Sequence, residues 1–309
     1  MKESCYPRFS IANLVDRLLN RRFVLPDKVD KDIKIFVFQH FNVELPECFA
    51  DRSIYVPLQG GKQHSVCVLR DDTPPSIAEY NVYLNEMTQI YWVGKHYDQL
   101  GNPEFVGFAH YRRCLDWNPQ LLSPGVVFAS RFVSHLSNWN FFVSCHGDKW
   151  LNKFMKEFHR VFDSGDYFDI DEYWKTRTMY IANNFITDRD TFLRYFSFTE
   201  KVLKICLEML AKHIDEFRQM NKSQRRQFSY IMERVTSYWI WHEKMAGRIK
   251  VVSSRLRCYD IDNGLSSVRK PKSLRVVDTF YKPNALRMRR IVGCRNLGII
   301  FIIATTSAS

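Results

Sequence analysis

Several familiar signatures are missing from this chain, and each absence removes a class of function. No apolar run approaches the about 20 residues needed to cross a bilayer; the longest candidate, Leu297 to Ala304, is too short. No two of the eight cysteines are spaced as C-x-x-C, and Cys/His ligand pairs are absent. A structural zinc site is therefore not expected. The first ten residues, MKESCYPRFS, hold no apolar stretch of the kind that opens a secretory signal. Reduced thiols and a cytoplasmic location follow as expectations. G-x-S-x-G, P-loop and G-x-G-x-x-G strings are also absent, which argues against a serine hydrolase and the common nucleotide-binding loops. There is no internal repeat and no low-complexity segment.

Acid is scarce in one place. From Arg269 to Ser309 nine basic residues stand against a single acid, Asp278, a net +8 of the chain's +12; the other 268 residues carry only +4. The basicity belongs to a tail, not to a folded face. That argues against nucleic acid as a partner and for a tail that meets an anionic surface. Ala285 to Ile303 alternates arginines with apolar residues, a pattern suited to anionic lipid head groups. An unstructured basic tail has the same composition.

What is present reads as one α/β domain with extensions. Residues 1–30 form an N-terminal extension with a short amphipathic stretch, Ile11 to Leu19. Residues 31–264 form the folded domain, and 265–309 the basic tail. Strands are expected at Lys34 to Gln39, Val66 to Leu69, Phe105 to Ala109, Val126 to Ala129, Phe141 to Ser144, Met179 to Ile186 and Ile249 to Val252. Helices are expected at Glu79 to Asp98, Lys149 to Phe162, Asp188 to about Phe217 and Ser223 to Met245. Strands interleaved with helices imply a mostly parallel sheet flanked by helices, with a helical C-terminal part.

In such a sheet, ligands sit outside the carboxyl ends of the strands. His110-Tyr111-Arg112-Arg113 follows the strand Phe105 to Ala109 directly. Two guanidinium groups there suit phosphate oxygens, with which they pair in bidentate geometry. Surface charges and a turn-capping histidine would leave the same sequence.

A set of ordered motifs carries a resemblance. Ser76-Ile77, Asn81, Asn85-Glu86-Met87-Thr88 and Tyr91-Trp92 precede Val106-Gly107-Phe108-Ala109-His110-Tyr111-Arg112-Arg113. Ile35 to His40, Tyr55-Val56-Pro57-Leu58-Gln59-Gly60, Asp71-Asp72-Thr73, Ala182-Asn183-Asn184-Phe185-Ile186 and Met232-Glu233-Arg234 match in the same order. Together they resemble, over about residues 33–252, the glycosyltransferase-like family of bacterial capsule and exopolysaccharide clusters catalogued as domain of unknown function 4422. The chain departs from that pattern at Phe41, where lysine is common; at Thr73-Pro74-Pro75-Ser76, which lacks a glycine; and at Met87, which replaces leucine.

The resemblance implies a GT-A-like fold and transfer of a hexosyl unit, with galactose in pyranose or furanose form suggested by the family setting. The donor would be a nucleotide-diphosphate sugar such as a UDP-sugar. The acceptor would be a lipid-linked or growing surface polysaccharide, met at the inner face of the cell membrane. Donor or diphosphate contacts are expected from His40, Asp72, Thr73, Asn81, Glu86, Tyr111, Arg112 and Arg113, and acceptor contact from Asn184. Glu86 could orient Arg112 or Arg113, or pair with Lys95 or a buried arginine. An inverting transferase needs a base for the acceptor hydroxyl; Glu233 is the first candidate and Asp188 the second, with His110 a further catalytic candidate.

Most such enzymes hold Mg2+ or Mn2+ on a D-x-D motif. In this chain His110 to Arg113 stands in that position, so arginines in place of a metal would neutralise the leaving group. Asp169 and Asp188, which open two other D-x-D strings, read as helix N-caps, and Asp260 to Gly264 reads as a turn. No residue is assigned as a metal ligand. A catalytically inactive member of the family, or a polyanion-binding protein acting through its tail, is the alternative.

Overall fold

The computed structural model describes residues 29–40, 43–61, 69–162, 167, 169–261 and 271–272. Strand β1 (Ile33–Gln39) is buried on both faces, as a central strand of a parallel sheet should be. Alternate residues divide between two cores. Phe36 and Phe38 join Phe108 in one, and Ile33, Ile35 and Val37 join Phe49, Tyr55 and Trp117 in the other.

After β1 come β2 (Tyr55–Gln59), β3 (Leu69–Arg70), helices α1 (Asn81–Leu84) and α2 (Glu86–Lys95), β4 (Phe105–His110) and β5 (Arg113–Leu115). The chain continues through β6 (Val126–Val133), α3 (Asn138–His146), α4 (Lys149–Val161), α5 (Ile170–Lys175) and β7 (Thr178–Asp188). The long helices α6 (Arg189–Gln219) and α7 (Gln227–Met245) follow, then β8 (Lys250–Ser253) and β9 (Leu256–Cys258). The main sheet has the order β3-β2-β1-β4-β7-β6-β8, with β5 and β9 attached beyond β4. Along that order neighbours are parallel except that β7 runs antiparallel to both β4 and β6; the attached β5 is antiparallel to β4 and to β9. This is the mixed, mostly parallel sheet that the sequence implied.

Helices α2, α4, α6 and α7 cover the face that carries Phe36 and Phe38. Short 3-10 turns at Glu47–Phe49 and Pro119–Leu121, with β5 and β9, close the other. Among the described residues no helix is long and apolar enough to cross a membrane. Among the described residues, Cys48, Cys114, Cys145, Cys206 and Cys258 form no disulfide.

Four local expectations are corrected. Phe141 to Ser144 lies in a helix, because Ser137 caps it by accepting from Asn140 N at 3.2 Å. The helix expected over Glu79 to Asp98 breaks at Asn85, whose φ is 48°. Asp169 makes no capping bond. Its carboxylate instead takes the Tyr238 hydroxyl at 2.7 Å and faces His242 Nδ1 at 2.9 Å. Asp260–Ile261 is a strand that pairs with Pro271–Lys272. The stretch Ile11 to Leu19, most of Val66 to Leu69, Asp262 to Gly264 and the tail beyond 272 fall outside the described residues.

Candidate functional site

The carboxyl ends of β1, β2, β3 and β4 lie on one side of the sheet, because the four strands are parallel. There the apolar pattern stops and polar residues gather: His40 after β1, Gly60-Gly61 after β2, Asp71 after β3, and His110 at the end of β4. Helix α2 begins beside them and brings Glu86 in its first turn.

Glu86 is the centre of this group. Its Oε1 lies 3.5 Å from His110 Nε2 and 3.9 Å from His40 Nε2. Burial pushes the Glu86 carboxyl up, but a hydrogen bond from His40, with the pull of the His110 ring and a backbone N–H, outweighs it and holds the group well below the usual carboxylate range. Glu86 is therefore an anion at neutral pH. Lys95, one of its expected partners, pairs with Glu200 instead.

His110 is buried, and its ring lies 4.2 Å, centroid to centroid, from that of Tyr111. Burial, reinforced by Arg113 and Arg112 against the pull of Glu86, drives its proton affinity well below that of an ordinary imidazole. The ring is neutral at pH 7. Its Nδ1 accepts the backbone N–H of Arg112 at 3.2 Å. A neutral ring whose Nδ1 accepts must carry its proton on Nε2, the nitrogen that faces Glu86.

Two arginines border this group. Arg112 is exposed, with its guanidinium 5.2 Å from the Tyr111 ring centroid. Arg113 is half-buried at the start of β5, where its strand neighbour is Cys258.

Asp71 is the residue the sequence did not single out as a contact. Asp72 and Thr73 were favoured, but Asp72 pairs with Arg70 at 2.6 Å, and exposed Thr73 offers its carbonyl to Trp92 Nε1 at 3.0 Å. Asp71 points inward, accepting from Thr88 Oγ1 at 2.6 Å and from Gly61 N at 2.8 Å. Burial raises its pKa to about 6, and His40 is close enough to oppose that rise. Asn81 completes the ring by donating to Thr88 Oγ1 at 2.8 Å. The chain runs close here: a Cβ on Gly60 would sit 2.8 Å from the Gln89 amide and 2.9 Å from that of Asn81, and Gly61 has φ +76°, which favours glycine. The signal for Asp71 was its position, first after a strand.

The remaining candidates lie outside this cluster. Asn184, on β7, donates to the Arg113 carbonyl at 3.1 Å. Glu233, on α7, is buried and accepts the backbone N–H of Ala182 at 2.7 Å. Asp188 pairs with Phe105, at the amino end of β4. It is thus five strand residues from His110, roughly 17 Å. It caps α6 through Thr191 N at 3.0 Å and takes Gly125 N at 2.8 Å.

His40, Glu86 and His110 each offer one ligand atom, all within 4.8 Å of one another. The set is a poor match for Mg2+, which prefers an all-oxygen shell; Mn2+ accepts imidazole more readily, and for it the obstacle is His110. The only His110 nitrogen facing the group carries a proton, fixed there by Arg112 N–H.

Residues 34–168 match the family described as Domain of unknown function (DUF4422). No curated protein gives a match in sequence. Among solved structures, the apo structure of WbbM, a bifunctional glycosyltransferase, is similar with a TM-score of 0.57 and 20% identity over 76% of this chain. The chain spans about half of that protein, 48% of its length, and the likeness is one of fold.

Proposed function

We propose that the protein is a glycosyltransferase that moves a hexosyl unit, galactose in pyranose or furanose form, from a UDP-sugar to a lipid-linked or growing surface polysaccharide, with inversion. One observation carries this reading: Arg112 and Arg113 stand at the carboxyl end of β4, beside a neutral His110 that adds no positive charge of its own. The DUF4422 match over residues 34–168 and the fold shared with a bifunctional glycosyltransferase support it.

In this mechanism the acceptor oxygen forms a bond to the anomeric carbon of the donor. The bond from that carbon to the diphosphate breaks, and its electron pair leaves with the diphosphate. Arg112 and Arg113 stabilise the charge that develops on the leaving group. The acceptor hydroxyl must also lose its proton. His110 is a poor receiver, since Nδ1 is engaged and Nε2 is already protonated. Half-buried His40, with the Glu86 anion behind it, is the base this geometry favours. Glu86 holds the two imidazoles and balances the proton His40 would gain.

The test is a panel of nucleotide sugars scored by thermal stabilisation and then by transfer, because a donor that binds only the folded state must raise its melting temperature. A panel in which no nucleotide sugar stabilises the protein would count against the proposal. The basic tail would place the enzyme on anionic membrane at the inner face of the cell. Full-length protein should sediment with phosphatidylglycerol vesicles, and a chain ending at residue 264 should not.

A further inference from the structure

Strand β7 is interrupted beside the candidate site. Its register against β6 runs regularly to Ala129↔Phe185, then resumes at Arg131↔Tyr180, so residues 181–184 face Ser130 alone. Within this bulge Ala182 and Asn183 have φ of 72° and 50°. Asparagine tolerates such a backbone, but alanine rarely adopts it. A strained backbone persists only where its surroundings hold it.

Helix α7 supplies that hold. Ser237 accepts the N–H of Tyr180 at 2.8 Å, and Glu233, one turn earlier, accepts the N–H of Ala182 at 2.7 Å. These are backbone donors at the bulge, and each is met by a buried side chain. The bulge in turn reaches the site. Asn184, its last residue, donates through Nδ2 to the Arg113 carbonyl at 3.1 Å. Arg113 is one of the two cations that act on His110.

We infer that Glu233 is a positioning residue, not the base: its carboxylate holds the strained β7 bulge, and through Asn184 the bulge sets where Arg113 presents its guanidinium. The inference rests on the reading of Arg112 and Arg113 as a diphosphate clamp. A carboxylate needed as a proton acceptor and one needed as a hydrogen-bond acceptor respond oppositely to amidation. Glu233→Gln keeps an oxygen for Ala182 N–H but cannot take a proton. Ala182→Gly removes the strain, since glycine accepts positive φ without penalty.

The experiment titrates inorganic pyrophosphate into the full chain by calorimetry, with circular dichroism and melting as fold controls. Wild type should bind. Glu233→Ala should bind about tenfold more weakly, the scale of loss expected when a site group shifts by a fraction of an ångström. Glu233→Gln should bind as wild type does. The double variant Ala182→Gly/Glu233→Ala should recover part of the loss, and it serves as the test should Glu233→Ala not fold. Three results would overturn the inference: Glu233→Ala binding like wild type, a folded Glu233→Gln as weak as Glu233→Ala, or no recovery in the double variant. A wild type that ignores pyrophosphate would overturn the diphosphate clamp itself, and this inference with it.

Discussion

The backbone N–H of Arg112 donates to Nδ1 of His110 at 3.2 Å, so the residue that carries the exposed cation also fixes where the buried imidazole keeps its proton. With Nδ1 occupied, the proton sits on Nε2, 3.5 Å from Glu86 Oε1. A metal ligand needs a lone pair at that nitrogen, and here there is a proton.

Metal removal should therefore leave the chemistry intact. Transfer measured in excess EDTA is expected to equal the untreated rate, and Mn2+ titrated into the protein should give no saturable heat. Complete loss of transfer in EDTA, restored by Mn2+, would show that the cluster gives up the Arg112 bond to take a cation.

The two arginines should carry most of the leaving-group stabilisation. Arg112→Ala and Arg113→Ala should each lower kcat by about 10²–10³, the usual cost of removing one preorganised donor from developing charge. Arg112 is exposed, so its variant should melt with wild type. Wild-type turnover in either variant would sink the assignment.

His40 separates binding from chemistry. His40→Gln should lower kcat by about 10²–10⁴, the range general-base catalysis supplies, while pyrophosphate affinity stays near that of wild type. A variant that keeps full kcat would remove His40 from the reaction and reopen the search for a base.

Much of this architecture was legible in the sequence, and the exceptions share a cause. Strands β1, β4 and β7 are apolar, β-branched or aromatic, and local composition was enough to place them. The long helices followed from their periodicity. Phe141 to Val143 has strand propensity too, yet it folds as helix because Ser137 caps it, and a cap outranks a weak preference. The cluster itself was half legible. His110, His40 and Glu86 were each suspected, but their meeting is a tertiary event across three elements. Asp71 and Asp72 are neighbours, and only packing decides which turns inward. The β7 bulge left only a faint trace, since Asn183 tolerates a positive φ but Ala182 does not announce one. Its cause lies on α7, some fifty residues away.

Asp188 should prove structural. Burial raises its carboxyl, but the bonds from Thr191 and Gly125 outweigh that and hold it below the usual range. A group depressed in this way stabilises the fold above the ordinary carboxylate pKa and loses that contribution as pH falls. Asp188→Ala should cost about 1–2 kcal/mol as a lost cap, with a further cost for Gly125 N–H. The penalty should be full at pH 7 and shrink in acid by urea titration. Folded variant should turn over at the wild-type rate, and a dead but folded Asp188→Ala would restore this residue as a catalytic candidate.

Asp71 should have the opposite signature. Burial lifts its pKa from the ordinary carboxylate value to about 6, so the folded state prefers the protonated form. The contribution of such a group is full below about pH 4 and is lost as pH rises through about 6. Once ionised, Asp71 works against folding by roughly 3 kcal/mol, given the displacement of its pKa. Asn at this position keeps an oxygen for Gly61 N–H and cannot ionise. Urea unfolding of wild type and Asp71→Asn at pH 4.5 and 7.5 isolates the effect, because His110 and every other titrating group is common to both. The variant should gain on wild type between the two pH values by about 2 kcal/mol, since part of the roughly 3 kcal/mol is already lost at pH 4.5. Parallel curves would mean that Asp71 ionises normally, and that Thr88 and Gly61 bind its anion well enough to cancel the cost of burying it.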